Sequence, residues 1–234
     1  MKKINFAEPF LNKSEKKYIN QAINSKWISK GLFVEKFEKK FSNTLKSNFS
    51  VSTNNGTNAF LLILLTLQLK RGDEIIVPSI TFIASINVVN YCNAHPIFMD
   101  VDDTCNIDLD KTIEFLKKDT IFKNGHTINK KTKRRISAII VVHTFGNVVN
   151  LNRNFLNFLK KRSINVIEDA AESLGSFFID KNKNKIHSGT IGTIGAISFN
   201  GNKIITSAGG GIVLTNNKKN FSKLNYLSNQ AKDE

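Results

Sequence analysis

Short apolar strands alternate with amphipathic helices along most of this 234-residue chain, and this alternation restricts the fold more than any other feature. Strand patterns are predicted at 49–52, 74–77, 96–99, 136–142, 165–168 and 194–198, and helical patterns at 59–69, 82–91 and 111–117. Strands that alternate with helices form a mostly parallel sheet with helices on both faces. The sequence therefore predicts a three-layer α/β fold.

Three other segments also allow predictions of local structure. Ser14 is the expected N-cap of an amphipathic helix near the N-terminus, the pair Lys30-Gly31 predicts a turn, and residues 34–45 predict a second amphipathic helix. Residues 119–135 are polar and basic, which predicts a solvated surface loop. A nucleic-acid interface would need interleaved aromatic side chains or a recognisable binding module, and the run 130–135 has neither.

The composition argues against several classes of protein. Hydrophobic residues make up 41% of the chain and charged residues 23%, as in a globular protein. The net charge of +15 would suit an anionic partner, but the basic residues are spread along the chain as in a compositional bias. Cys92 and Cys105 form no metal-binding or disulfide pattern, and the longest apolar run, 59–67, is too short to span a bilayer. We expect a soluble cytoplasmic protein without a metal, a membrane segment or a nucleic-acid partner.

Ligands of parallel sheets bind at the carboxyl ends of the strands, and the polar turns of this chain follow predicted strand ends. The first of these turns, residues 53–58, joins a strand to a helix N-terminus, where free amides bind phosphate; a simple capped turn is the alternative. Asp169 ends another strand, where a carboxylate in apolar surroundings needs a partner such as a protonated pyridine nitrogen. N-capping of a following helix explains Asp169 equally well. His143 is interpreted as a structural histidine.

Lys203 follows a predicted strand and lies among small residues, in the segment Ser198-Phe199-Asn200-Gly201-Asn202-Lys203. A bulky ligand could approach a lysine in such a loop, and the covalent chemistry typical of lysine is a Schiff base with a carbonyl compound or with pyridoxal phosphate (PLP). Taken alone, a lysine beside glycines is far more often a solvated loop residue.

Four segments taken together resemble one protein family. They are Asn55-Gly56-Thr57-Asn58-Ala59, Val77-Pro78-Ser79-Ile80-Thr81-Phe82, Glu168-Asp169-Ala170-Ala171-Glu172-Ser173 and the segment that ends at Lys203. Their order and separation resemble the DegT/DnrJ/StrS family of PLP-dependent nucleotide-sugar aminotransferases, which have fold type I. The resemblance runs from about residue 10 to the end of the chain.

The resemblance implies a role for each residue of the expected site. The implied cofactor-binding residues are Gly56, Thr57, Phe82, Asp169, Glu172, Ser198 and Lys203. Lys203 would bind PLP covalently and carry protons as the catalytic residue, and Asp169 would pair with the pyridine nitrogen. Phe82 would stack on the ring and Glu172 would lie near its hydroxyl group, while the remaining three would hold the phosphate.

The resemblance also implies an activity, partners and a domain. An amino group, with L-glutamate as the expected donor, would pass to the 4-keto group of a nucleotide-linked 6-deoxysugar for surface polysaccharide synthesis, in a homodimer. Lysine at position 203 argues against the related dehydratases, which have histidine there. Residues 1–234 would form the large cofactor-binding domain, with the small C-terminal domain largely missing. The alternatives are an inactive PLP-binding remnant with a regulatory role and a basic nucleic-acid-binding protein.

Overall fold

The structure, a computed structural model, describes residues 4–5, 7–29 and 31–232. The helices in chain order are α1 (Lys13–Asn24), α2 (Leu32–Leu45), α3 (Gly56–Thr66), α4 (Ile83–Tyr91), α5 (Leu109–Lys118), α6 (Arg153–Lys161) and α7 (Lys218–Ser228). The strands are β1 (Phe49–Thr53), β2 (Glu74–Pro78), β3 (His95–Met99), β4 (Thr120–Lys123), β5 (His126–Asn129), β6 (Arg135–Val142), β7 (Asn165–Asp169), β8 (Phe177–Ile179), β9 (Lys185–His187), β10 (Ile194–Ser198) and β11 (Gly211–Thr215).

A nine-stranded, mostly parallel sheet forms the centre of the fold. The strand order is β1-β11-β10-β7-β6-β2-β3. The strand β5 also pairs with β6, and β4 pairs with β5. The neighbours β10, β7, β6, β2 and β3 pair in parallel, whereas β11 runs antiparallel to both β10 and β1. Consequently β1, β2, β6, β7 and β10 all end at the same edge of the sheet, which we call the carboxyl edge.

Helices cover both faces of this sheet, as the alternation of elements predicts. Ile75 and Val77 of β2 pack with the apolar side chains of α3 and α4, whereas Ile76 between them belongs to a second cluster with α5 and α6. Successive side chains of a strand point to opposite faces, so a strand buried on both sides must be apolar throughout. The three-layer α/β prediction is confirmed.

The N-terminal helix differs from its prediction in two respects. Its N-cap is Asn12, whose side chain accepts a hydrogen bond from the amide of Ser14, while Glu15 bonds back to the amide of Asn12. This reciprocal capping box satisfies two backbone N–H groups at the helix start, so the helix begins at Lys13 and Ser14 lies inside its first turn. The apolar side chains of Tyr18, Ile19 and Ile23 are exposed. The predicted turn at Lys30-Gly31 falls partly on Lys30, which lies outside the described residues.

The surface-loop prediction for residues 119–135 is wrong, because β4 and β5 form a hairpin there. Asn124 and Gly125 connect the two strands with φ angles of 51° and 77°, the left-handed conformation of a two-residue hairpin turn. Asn129 of β5 is buried and donates a hydrogen bond from Nδ2 to Glu74 Oε2, at 2.8 Å. An Asn-Gly pair between strands predicts this hairpin, and the basic composition around it obscured the pattern.

No helix in the described part of the chain is long and apolar enough to cross a bilayer. Within the same residues, His, Cys, Asp and Glu side chains form no group of three or more that could hold a metal ion. Cys92 and Cys105 are both free thiols.

Candidate active site at the carboxyl edge of the sheet

The predicted site residues lie at or just after the ends of β1, β2, β7 and β10. Gly56 and Thr57 begin α3 directly after β1, and Phe82 precedes α4 after β2. Asp169 is the last residue of β7, and it pairs in register with Ala196 of the neighbouring β10. The parallel pairing of β7 and β10 thus brings these separate parts of the sequence to one edge.

The N-terminus of α3 is held close to the end of β10. Asn55 caps the helix, because its side chain accepts the amide of Asn58 at 2.7 Å, whereas the amides of Gly56 and Thr57 have no acceptor within the helix. A Cβ atom placed on Gly56 would lie 3.0 Å from the Cβ and 3.1 Å from the Oγ of Ser198. A side chain at position 56 would crowd Ser198, so glycine is favoured there, and the N-terminus of α3 lies beside a serine hydroxyl, a suitable arrangement for an anion.

Asp169 is buried, with only 5% of its surface exposed. Its Oδ2 accepts a hydrogen bond from Ser85 Oγ at 2.6 Å, and its Oδ1 accepts the amide of Ala171 at 3.1 Å. Burial raises the pKa of Asp169, and these hydrogen bonds together with the positive charge of Lys203 oppose that shift. Residues 170–176 form turns and no helix, so the N-cap alternative is wrong.

Lys203 and Glu172 form an ion pair at this edge. Lys203 Nζ lies 2.9 Å from Glu172 Oε1, and the two side chains are 15% and 39% exposed. The lysine side chain is therefore largely covered. A lysine beside glycines is usually a fully solvated loop residue, and Lys203 is not. The positive charge of Lys203 is close enough to Asp169 to lower the pKa of this carboxyl group. The structure thus places an amine and two carboxylates together.

Phe82 lies between β2 and α4, one helical turn before Ser85. It is the N-cap of α4, its surface is 74% exposed, and its carbonyl oxygen accepts the amide of Ser85 at 3.2 Å. Because Ser85 in turn contacts Asp169, the exposed ring and the buried carboxylate are joined by one helical turn. An exposed aromatic face beside a buried carboxylate can hold a flat ligand with a positive edge.

A buried pair below Asp169 escaped the sequence interpretation. His143 Nε2 lies 2.9 Å from Glu168 Oε2, and both side chains are fully buried. His143 Nδ1 accepts the amide of Val149 at 3.2 Å, so Nε2 carries the proton and donates to Glu168. Glu168 also accepts three amides, from Gly189, Ile191 and Gly192, at 2.5–2.8 Å. These contacts support the structural interpretation of His143. The two adjacent acids at the end of an apolar strand, Glu168 and Asp169, were the sequence feature that could have indicated a buried partner for Glu168.

Replacing Glu168 by Gln is expected to lower the free energy of unfolding by about 2–4 kcal/mol. Each carboxylate oxygen of Glu168 accepts hydrogen bonds from two N–H groups. Glutamine replaces one of these oxygens with an NH2 group, so two buried N–H donors would lose their acceptor. Urea unfolding followed by circular dichroism measures the change. The control Glu114→Gln removes an exposed carboxylate paired with Lys118 and should leave stability nearly unchanged. Equal midpoints for the two variants would contradict this account of Glu168.

Comparison with known proteins places these features in one family. The sequence profile described as the DegT/DnrJ/EryC1/StrS aminotransferase family matches residues 9–234. A GDP-perosamine synthase from Escherichia coli O157:H7 is 37% identical over 232 residues, which cover 99% of this chain and 58% of that protein. This chain therefore spans little more than half the length of the curated relative.

Solved structures agree with the sequence comparison. PseC from Helicobacter pylori, an aminotransferase involved in the biosynthesis of pseudoaminic acid, superposes with a TM-score of 0.82 at 26% identity, covering 100% of this chain and 58% of that chain. A GDP-4-keto-6-deoxymannose-3-dehydratase with a trapped PLP-glutamate geminal diamine gives a TM-score of 0.79 at 27% identity, with 95% and 54% of the two chains covered. Both share the fold of this chain, which is that of the fold-type I PLP enzymes.

Proposed function

Because the chain belongs to the DegT/DnrJ/EryC1/StrS aminotransferase family, we propose that it binds PLP and acts in amino transfer to a nucleotide-linked keto sugar. The observation that carries this proposal is the contact of Lys203 with Glu172 beside the buried carboxylate of Asp169. An amine that is largely covered, at the carboxyl edge of a parallel sheet, is placed to react with a bound carbonyl group.

The residues of the site fit the chemical groups of PLP. The N-terminal amides of α3, at Gly56 and Thr57, and the hydroxyl of Ser198 suit the phosphate, because the small Gly56 allows this helix end to lie close to Ser198. Asp169 suits the ring nitrogen, since a buried carboxylate favours a protonated partner. Phe82 offers an exposed aromatic face to the ring, and Glu172 lies beside the lysine.

PLP, when bound, supplies an electron sink for the carbon that loses or gains a proton. The chain's own residues provide the rest of the proposed mechanism. Lys203 Nζ would attach the cofactor and carry the proton between the reacting carbon atoms, while Glu172 Oε1 holds that amine at 2.9 Å. The carboxylate of Asp169 would keep the ring nitrogen protonated, which maintains the electron sink.

The relatives support a narrower proposal for the substrates. The E. coli relative is named for perosamine linked to GDP, and the dehydratase structure holds glutamate joined to PLP. We therefore propose L-glutamate as the donor and the 4-keto group of a nucleotide-linked 6-deoxysugar as the acceptor. The lysine at position 203 favours amino transfer, because the resemblance assigns histidine to the dehydratases at that position.

The remaining features of the proposal concern assembly and setting. We propose that the unit around the nine-stranded sheet is the cofactor-binding domain, that the protein acts in the cytoplasm as a homodimer, and that its product enters a surface polysaccharide. A shared site would agree with the exposure of Phe82, because a second subunit could cover that ring.

Separate half-reactions test the proposed function. With PLP bound, L-glutamate should convert the cofactor to its amino form, with release of 2-oxoglutarate measured by a coupled dehydrogenase assay. Subsequent addition of GDP-4-keto-6-deoxymannose should regenerate PLP and yield an amino sugar identified by mass spectrometry. Conversion with glutamate but none with any 4-keto sugar nucleotide would refute the proposed acceptor. Formation of the 3-deoxy sugar without amine incorporation would instead assign the dehydratase reaction.

A further inference from the structure

Ser85 is a fully buried serine whose hydroxyl group bonds to Asp169 across 84 positions of the sequence. We propose that Ser85 is a positioning residue, which fixes the carboxylate of Asp169 in the orientation that meets a protonated ring nitrogen. The inference rests on the proposed function, because it assigns Ser85 to the same cofactor site. The sequence interpretation gave Ser85 no role.

The geometry gives Ser85 control over one oxygen of the carboxylate. Ser85 Oγ donates to Oδ2 at 2.6 Å, while the amide of Ala171 donates to Oδ1 at 3.1 Å. Each carboxylate oxygen can accept two hydrogen bonds, so both retain acceptor capacity for a ligand. Ala171 is fixed by the chain itself, so Ser85 is the side chain that sets the rotation of the carboxylate.

The surroundings of Ser85 indicate that the main role of its hydroxyl group is the hydrogen bond to Asp169. Val88 and Val89 of the same helix are fully buried apolar residues, and Ser85 has no exposed surface. A buried hydroxyl group is costly without a partner, and the short bond to Asp169 supplies that partner. Because the amide of Ser85 also donates to the carbonyl of Phe82, one residue joins the proposed ring platform to the proposed ring-nitrogen partner.

The charge of Lys203 acts in the same direction as Ser85. Lys203 favours the ionised carboxylate, as do the bonds from Ser85 and Ala171, whereas burial raises the pKa of Asp169. Removing the Ser85 hydroxyl would therefore raise that pKa further and free the carboxylate to rotate. Both changes weaken the contact with a protonated nitrogen.

The test compares PLP with 1-deaza-PLP, in which a C–H group replaces the ring nitrogen. The dissociation constants of both are measured for the wild-type chain and for Ser85→Ala, Ser85→Thr and Ser137→Ala. We expect Ser85→Ala to reduce the preference for PLP over the analogue about tenfold. Ser85→Thr keeps the hydroxyl and should restore the preference. Ser137→Ala, a buried serine with its Oγ 3.5 Å from the carbonyl oxygen of Glu74, should leave it unchanged.

The outcomes separate this inference from the proposed function. A wild-type chain that does not prefer PLP to the analogue would refute the role of Asp169, and with it both proposals. A wild-type preference that survives intact in Ser85→Ala would overturn the role of Ser85 alone. Carbon-13 NMR of the Asp169 carboxyl in the cofactor-free chain gives an independent measure, with Asp169→Asn for assignment. Ser85→Ala should raise its titration midpoint by about one pH unit, and an unchanged midpoint would overturn the inference.

Discussion

Lys203→Ala is expected to abolish amino transfer, with turnover reduced at least about 10³-fold. In the proposed mechanism the same amine attaches the cofactor and moves the proton, so its loss removes two functions at once. Alanine offers neither an amine nor a proton carrier. The glutamate half-reaction, followed by the release of 2-oxoglutarate, measures the effect without a requirement for the sugar nucleotide.

Two observations separate a chemical defect from a folding defect in this variant. Lys203 pairs with Glu172, which is 39% exposed, so water can solvate the freed carboxylate and the fold should persist. Urea unfolding should accordingly give nearly the same midpoint as the wild type. Lys161→Ala, at the exposed end of α6, is the matched control and should retain full turnover. Normal turnover in Lys203→Ala would refute the assignment of the catalytic lysine.

Asp169→Asn is expected to lower turnover about 10²- to 10³-fold while the folded chain remains at least as stable at neutral pH. The amide cannot keep a ring nitrogen protonated, so the electron sink is weakened. The amide can still accept from Ala171 through its oxygen and donate to Ser85 Oγ through its nitrogen, so the buried contacts are retained. A large loss of stability would show that the carboxylate has a structural role instead.

The pH dependence of unfolding provides a further measure for Asp169. Burial raises its pKa in the folded chain, so between its unfolded and folded pKa values the folded chain binds more protons, and stability falls as the pH rises through that window. Above this window the raised pKa lowers the stability of the folded chain, and below the ordinary pKa of the carboxyl group that cost disappears. We therefore expect the wild type to gain stability relative to Asp169→Asn as the pH falls. The opposite trend would contradict a raised pKa.

Periodicity and strand ends were sufficient to predict the architecture and the edge that carries the site. The alternating apolar pattern of β10 and the continuous apolar runs of β6 and β7 are local properties of the sequence, and parallel pairing then brings their ends together. The contact of Lys203 with Glu172 agrees with the neighbourhood that the family resemblance implies for these two residues. Their roles with the cofactor remain predictions.

Contacts between distant parts of the sequence could not be predicted in the same way. Ser85 lies within an apolar helix, and nothing near it in sequence indicates a partner 84 positions away. Glu168 and His143 are 25 positions apart, and their pairing depends on the parallel register of β6 and β7. The hairpin of β4 and β5 is a different case, because its Asn-Gly turn is a local signal.

Reductive trapping of PLP on this 234-residue chain tests the central claim most directly. The purified chain is incubated with PLP, reduced with borohydride and digested, and the modified lysines are mapped by mass spectrometry. We expect one predominant adduct, on Lys203, because this lysine is largely covered and lies in the proposed cofactor site. Labelling that is absent, or scattered over the exposed lysines with Lys203 unmodified, would contradict the assignment of this site.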